Sequence, residues 1–242
     1  MNPGRRRLLG GLAVLLVLPA IRPASAQTSD LVVLCDKALG PALSTVGAAY
    51  RSRTGVRIVV FPTTPALILP QLMRQVQNDI VVTQLGILAA AVEAGVVARD
   101  SYAGRWRNRL VVATGRSGAI AATDTPFAVP DAPIAAGVDG RDVLGAAGIR
   151  PGSLRGVLDT SAVAFQLTSG TASAGLVLAT EVSANAGLRV LQPIGDGLYP
   201  PIVYSAAITK LTRRGDPAAF MAFLASPAVR GLLTGGGLEV SA

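Results

Sequence analysis

The chain contains no histidine, a single cysteine (Cys35) and only two lysines (Lys37 and Lys210), and aromatic residues make up 4% of it. Without histidine it lacks the commonest general base and the usual catalytic zinc ligand sets. One cysteine excludes an intramolecular disulfide, so stability has to come from packing. Cys35 follows Leu31-Val32-Val33-Leu34, which suits a small buried residue at a strand end better than a reactive thiol or a lipid anchor. No Ser-x-x-Lys pair is present, and with no base to pair with a nucleophile, no catalytic residue, metal or cofactor is expected. Scarce aromatics and scattered arginines also argue against nucleic acid. The one basic cluster with an aromatic residue, Arg105, Trp106, Arg107 and Arg109, is expected at a solvated loop edge.

Long apolar runs are equally scarce. The clearest, Leu8 to Leu18, follows Arg5-Arg6-Arg7 and precedes Ala24-Ser25-Ala26, the order of an export signal cleaved before Gln27. It is shorter than the ~20 residues a spanning helix needs. Arg5-Arg6-Arg7-Leu8-Leu9 also fits the twin-arginine pattern of export in the folded state. The expected product is a soluble, periplasmic, monomeric protein that does not span the membrane. Removing residues 1–26 takes away four arginines and no acid, leaving eighteen basic against fourteen acidic residues and a net charge of +4 instead of +8. The basic balance therefore belongs largely to the signal.

In the rest of the chain, strand and helix signals alternate. Leu31–Cys35, Val56–Phe61, Asp79–Thr83 and Arg109–Thr114 read as strands. Between them lie helices over Ala38–Arg53, stopped by Gly55, over Thr64 to about Gln77 with a bend at Pro70, and over Leu85–Glu93, stopped by Gly95. After a turn-rich break at Gly115–Pro126, strands are expected at Phe127–Val129, Gly175–Ala179, Leu188–Leu191 and Ile202–Ile208, and helices at Asp139–Ala147 and Thr160–Ser169. Asp216-Pro217 and Ser226-Pro227 open the last two helices. Such alternation predicts an α/β fold with mostly parallel sheet, in a first lobe (residues 27–114 plus 200–242) and an inserted second lobe (residues 115–199). Two chain crossings near Thr114 and Tyr199 would form a hinge, with loops and helix N-termini facing a cleft.

The order of segments resembles the molybdate- and tungstate-binding solute-binding proteins of bacterial ABC importers. Asn78-Asp79-Ile80-Val81-Val82-Thr83 is similar to the family's "ADLFISAD" strand, and Glu93-Ala94-Gly95-Val96-Val97 to the helix end after it. Ser169 to Val177 resembles "SGEADAGIVY", Tyr199-Pro200-Pro201-Ile202-Val203 the "YPxAV" hinge strand, and Ala222 to Pro227 "FLxSPEAQ". The resemblance covers nearly all of the mature chain. It implies the type II periplasmic-binding-protein fold, a discontinuous first lobe with an inserted second lobe, and a partner ABC permease.

The family's ligand loops are altered. Its serine after the first strand becomes Ala38 in Cys35-Asp36-Lys37-Ala38, its serine pair becomes Thr63-Thr64, the tyrosine ending "GIVY" becomes Leu178, and the "GDP" turn becomes Pro130-Asp131-Ala132. Each donor lost to a buried dianion forfeits about 1–3 kcal/mol, which argues against molybdate itself. By position in the family, the first-lobe ligand contacts are Asp36, Lys37, Ala38 through its backbone N–H, Thr63 and Thr64. The second lobe adds Asp131, Thr160 and Ser161. Thr64 also reads as a helix cap, and Thr160 and Ser161 as ordinary cap residues. The function expected is capture of an oxyanion or small polar organic molecule by lobe closure, for import. The alternative is a transport-independent accessory or sensor protein that keeps the fold and acts through a membrane partner.

Overall fold

The computed structural model describes residues 30–115, 125–212 and 215–240. The expected export signal, residues 1–26, and most of the break after Gly115 lie outside them. The chain opens with strand β1 (Leu31–Asp36), a 3-10 turn (Lys37–Leu39), helix α1 (Gly40–Thr54), β2 (Ile58–Thr63), α2 (Pro65–Met73), β3 (Ile80–Gln84) and α3 (Leu85–Glu93). It continues through β4 (Ala103–Asn108), β5 (Leu110–Gly115), β6 (Phe127–Pro130), α4 (Gly140–Ala146), β7 (Leu154–Val157) and α5 (Thr160–Thr168). The remainder is β8 (Ala174–Leu178), α6 (Ala179–Ser183), β9 (Leu188–Pro193), β10 (Ile202–Ile208), α7 (Pro217–Leu224), α8 (Pro227–Gly235) and β11 (Glu239–Val240).

These strands form two sheets, β11-β4-β10-β3-β1-β2 and β7-β6-β8-β5-β9. In the first, β1 runs parallel to β2 and β3, whereas β10 pairs antiparallel with β3 and β4. The second is likewise mixed: β6 is parallel to β7 and β8, and β5 is antiparallel to β8 and β9. Both sheets are therefore less parallel than the alternation of elements predicts. The crossovers through α1 and α2 give parallel neighbours, but strands that leave or re-enter a lobe need no crossover helix and pair antiparallel.

The lobe boundary also shifts. Strand β5 belongs to the second sheet, so the chain leaves the first lobe between Asn108 and Leu110 rather than near Thr114, and it returns between β9 and β10.

Burial follows position. β1 and β3 lie inside the first sheet and are almost wholly buried, consistent with the apolar runs Leu31–Cys35 and Ile80–Val82 that open them. Pro62 sits in β2 at the sheet's edge, where its missing N–H breaks no ladder. α1 begins with Pro41 in its first turn and ends at Gly55, whose φ of 78° closes the helix with an N–H to Arg51 carbonyl bond. α2 keeps Pro70 inside but stops at Met73, short of the expected Gln77.

One apolar cluster runs from the first lobe into the second, joining Leu31, Val33, Trp106 and Tyr204 with Leu110, Val112 and Leu176. Separate clusters seat α2 and α3 on the first sheet and α5 on the second.

The basic cluster expected at a loop edge is mostly strand β4. Arg105 points outward and Trp106 is buried. Trp106 lies against Gly104, where a Cβ would come within 2.4 Å of the indole Cζ2 and where φ is +72°. Arg107 forks onto Asp196 at 2.6 and 3.2 Å, and Arg109 pairs with Glu239 and, at 3.8 Å, with Asp196. These ion pairs tie Arg107 and Arg109 to Asp196, between β9 and β10, and to β11. Cys35 is a free thiol, fully buried at the end of β1, and burial followed by the neighbouring Asp36 charge pushes its ionisation far up. Among the described residues, no single helix is long and apolar enough to cross a membrane.

Candidate functional site

Between the lobes lies a cavity of about 750 Å3. Its first-lobe wall comes from the ends of β1 and β3 and the starts of α2 and α3: Asp36, Lys37, Ala38, Thr64, Gln84 and Ile87. Pro130, the segment from Ala132 to Gly137, Asp159, Thr160 and Leu178 supply the second-lobe wall. Strand ends and helix starts thus converge on it, as expected for the crevice of open α/β sheets.

Asp36 closes β1 and turns the chain. Its Oδ1 accepts the Ala38 backbone N–H at 3.0 Å, while Oδ2 is buried without a partner. Desolvation, aided by the Glu181 charge, raises its pKa to about 7; the Ala38 N–H, Gln84 and Lys37 partly offset this. Lys37 reaches across to the other lobe, its Nζ 2.5 Å from Asp159 Oδ2. Asp159 is the N-cap of α5, with Oδ1 accepting the Ala162 N–H at 3.0 Å. A second link between the lobes is Gln84 Nε2, which donates to the Ile134 carbonyl at 2.8 Å in a buried setting.

A further carboxylate lies behind this wall. Glu181 Oε1 accepts the hydroxyls of Thr160 (2.9 Å) and Ser161 (2.8 Å), and Oε2 accepts the Leu178 N–H at 3.0 Å. Burial nevertheless raises its pKa, with Asp159 adding to the effect against those three hydrogen bonds. The Tyr204 hydroxyl is buried without a partner, and burial, Asp36 and Glu181 together push its ionisation well above the usual range.

The structure brings together some of the sequence-expected residues and not others. Asp36, Lys37, Ala38, Thr64 and Thr160 line the cavity. The Ala38 N–H, however, is already engaged by Asp36. Thr64 holds the N-cap position of α2, yet its side chain makes no cap bond, so the capping expectation fails and its hydroxyl is left at the cavity wall. Thr63 is buried at the end of β2, where it accepts a hydrogen bond from Gln71 Nε2 at 3.3 Å, and it does not line the cavity. Asp131 is exposed, pairs with Arg141 Nη2 at 2.8 Å, and lies off the cavity wall. Ser161 is likewise absent from the wall, and both Thr160 and Ser161 bond Glu181 rather than capping α5. Asp159 is the cap.

Three polar contributors escaped the sequence reading. Asp159 was signalled by its place just before Thr160-Ser161, since aspartate is the stronger N-cap candidate. Glu181 stands at the third position of α6, where glutamate reaches back to the residue before the helix. Gln84 had no local signal beyond ending a buried strand.

Residues 31–239 match the model of a family described as bacterial extracellular solute-binding protein. Among solved structures, the chain is similar to the periplasmic molybdate-binding protein of Azotobacter vinelandii, at 17% identity and a TM-score of 0.73, covering 88% of this chain and 100% of that one. It is similar to the substrate-binding domain of a putative molybdenum ABC transporter from Clostridium difficile at 18% identity and a TM-score of 0.70, covering 89% and 100%. The sulfate-binding protein SubI of Mycobacterium tuberculosis H37Rv aligns at 13% identity and a TM-score of 0.64, over 88% and 87%. At these identities the likeness is one of fold. No curated protein matches the sequence.

Proposed function

The chain belongs to the bacterial extracellular solute-binding protein family, and from that premise we propose that it is a periplasmic receptor that closes its lobes on a small ligand and delivers it to an ABC permease. The observation carrying this reading is the cavity itself, walled by both lobes and bridged by Lys37 and Asp159. A ligand that touches both walls stabilises the closed arrangement over the open one, which is the population shift a permease can read. The export signal, by the general or the twin-arginine route, supports delivery to the periplasm.

The direct test is thermal denaturation of the mature chain against a broad panel of oxyanions, organic acids, amino acids and amines. A dose-dependent rise in melting temperature with at least one class is expected. No rise with any member would remove the solute-binding reading.

A further inference from the structure

The cavity differs in chemistry from a site built for an oxyanion. Anions bind at helix starts because backbone N–H groups there lack partners. Here the chain's own carboxylates occupy two of those donors: Asp36 Oδ1 takes the Ala38 N–H and Asp159 Oδ1 takes the Ala162 N–H. At the start of α2, Pro65 has no N–H, and the Leu67 N–H bonds the Thr64 carbonyl. Among the described residues the only cationic side chain on the wall, Lys37, is matched by Asp159 at 2.5 Å. Among the described residues, an incoming anion would meet two carboxylates and no unpaired cation on the wall.

What remains unsatisfied is an acceptor. Asp36 lines the cavity, is 2% exposed, and holds Oδ2 without a partner. A buried carboxylate oxygen in that state is costly until a cation or donor reaches it. Apart from Thr64, Gln84 and Thr160, the rest of the wall is apolar, with Leu69, Ile87 and Ala90 facing Pro133, Ile134 and Leu178. Its volume suits an organic molecule rather than a tetrahedral oxyanion. Among the described residues no aromatic side chain lines it, so a carboxylate, not an aromatic box, is what a cation would find.

Building on the solute-binding reading, we propose that this cleft takes an organic cation, a protonated amine on an apolar body, with Asp36 Oδ2 as its counter-ion. The ammonium supplies the donor that Asp36 lacks, and the apolar portion fills the space between α2, α3 and the Pro133–Ile134 wall. Lys37 and Asp159 remain paired as the latch across the two lobes. Because Asp36 carries a proton at acid pH, it must release that proton to pair with the amine, so binding strengthens as pH rises through about 7.

Calorimetric titration of the mature chain with matched hexyl and phenethyl amines, alcohols and carboxylates, beside molybdate and sulfate, tests this. Expected is binding of an amine at least ~10-fold tighter than its alcohol, strengthening several-fold from about pH 6 to pH 8, with carboxylates and oxyanions weak or silent. Asp36→Asn should abolish the preference for amine over alcohol, its melting curve serving as the check on folding. If that variant does not fold, Ala90→Trp, a substitution at an exposed wall position, should block amine binding by bulk, and the pH dependence of the unaltered chain carries the charge argument.

Tighter binding of a carboxylate, molybdate or sulfate would overturn the inference while leaving solute binding intact. So would an alcohol equal to its amine, a pH-independent affinity, or a folded Asp36→Asn chain that still prefers the amine. Silence across this panel would also overturn the inference, whereas the solute-binding reading falls only with silence across the broader thermal panel.

Discussion

The phenolic oxygen of Tyr199 accepts the backbone N–H of Leu110 at 2.9 Å, tying the segment that returns from the second lobe to the strand by which the chain entered it. Both residues are buried. Tyr199→Phe would leave the Leu110 N–H without a partner in a dry setting, at a cost of about 1–3 kcal/mol. The expected outcome is a melting temperature lower by several degrees with the fold retained, measured by circular dichroism. An unchanged melt would mean that water replaces the phenol.

Lys37 and Asp159 meet across the cleft with 29% and 13% of their side-chain surface exposed. Lys37→Met removes the only ion pair that joins the lobes across the cavity wall among the described residues. Because the pair is partly exposed, its contribution to stability is modest, about 1 kcal/mol or less. Its larger effect should be on the lobes' separation. Small-angle scattering of the unliganded variant is expected to show a larger radius of gyration than the parent, and raising salt should move the parent in the same direction.

Stability should depend on pH with a sign opposite to the usual acid sensitivity. Asp36 has a folded pKa of about 7 against an unfolded value of about 4. Between those values the folded chain holds a proton that the unfolded chain has released, so stability falls as pH rises from about 4 to 7 and levels off above that. Glu181, raised by burial, adds in the same direction. Melting temperature is expected to be higher near pH 5 than near pH 8, and Asp36→Asn should flatten that slope. A parent melt that rises with pH over this window would contradict the assignment.

Glu181 gathers the Thr160 and Ser161 hydroxyls and the Leu178 N–H behind the cavity wall. Glu181→Ala strands all three groups and is expected to destabilise the chain by at least ~2 kcal/mol, read by chemical denaturation. Glu181→Gln keeps two acceptor bonds through its carbonyl oxygen and should cost clearly less. Equal losses from both would assign the effect to charge rather than to hydrogen bonding.

Gly104 holds a φ of +72° with the Trp106 indole where a Cβ would stand. Gly104→Ala must strain the backbone and displace a buried ring, so a loss of about 1–3 kcal/mol is expected by denaturant titration, with the cavity unaffected.

The order of strands and helices could be read because unbroken apolar runs such as Leu31–Cys35 and helix punctuation such as Gly55 and Ser226-Pro227 are local signals. β4 escaped because its alternating pattern is carried by arginines: Trp106 points in while Arg105 points out, and charge masked the period. The assignment of β5 to the second sheet could not be read either, since which sheet a strand joins is decided by long-range pairing with β8 and β9. At the cleft, Asp36 and Lys37 were foreseen by position. That Asp36 would satisfy the Ala38 N–H, and that Lys37 would be claimed by a residue 122 positions away, depends on how the lobes meet.

The burial of Cys35 has a practical use. A thiol sealed in the β1 core, its ionisation pushed far up by burial and by Asp36, is inert to maleimides at neutral pH. Any cysteine added at the cleft mouth, for instance Ala90→Cys, would then be the sole attachment point for an environment-sensitive dye, and the native chain can serve as the frame of a single-fluorophore reporter without first removing its own sulfhydryl.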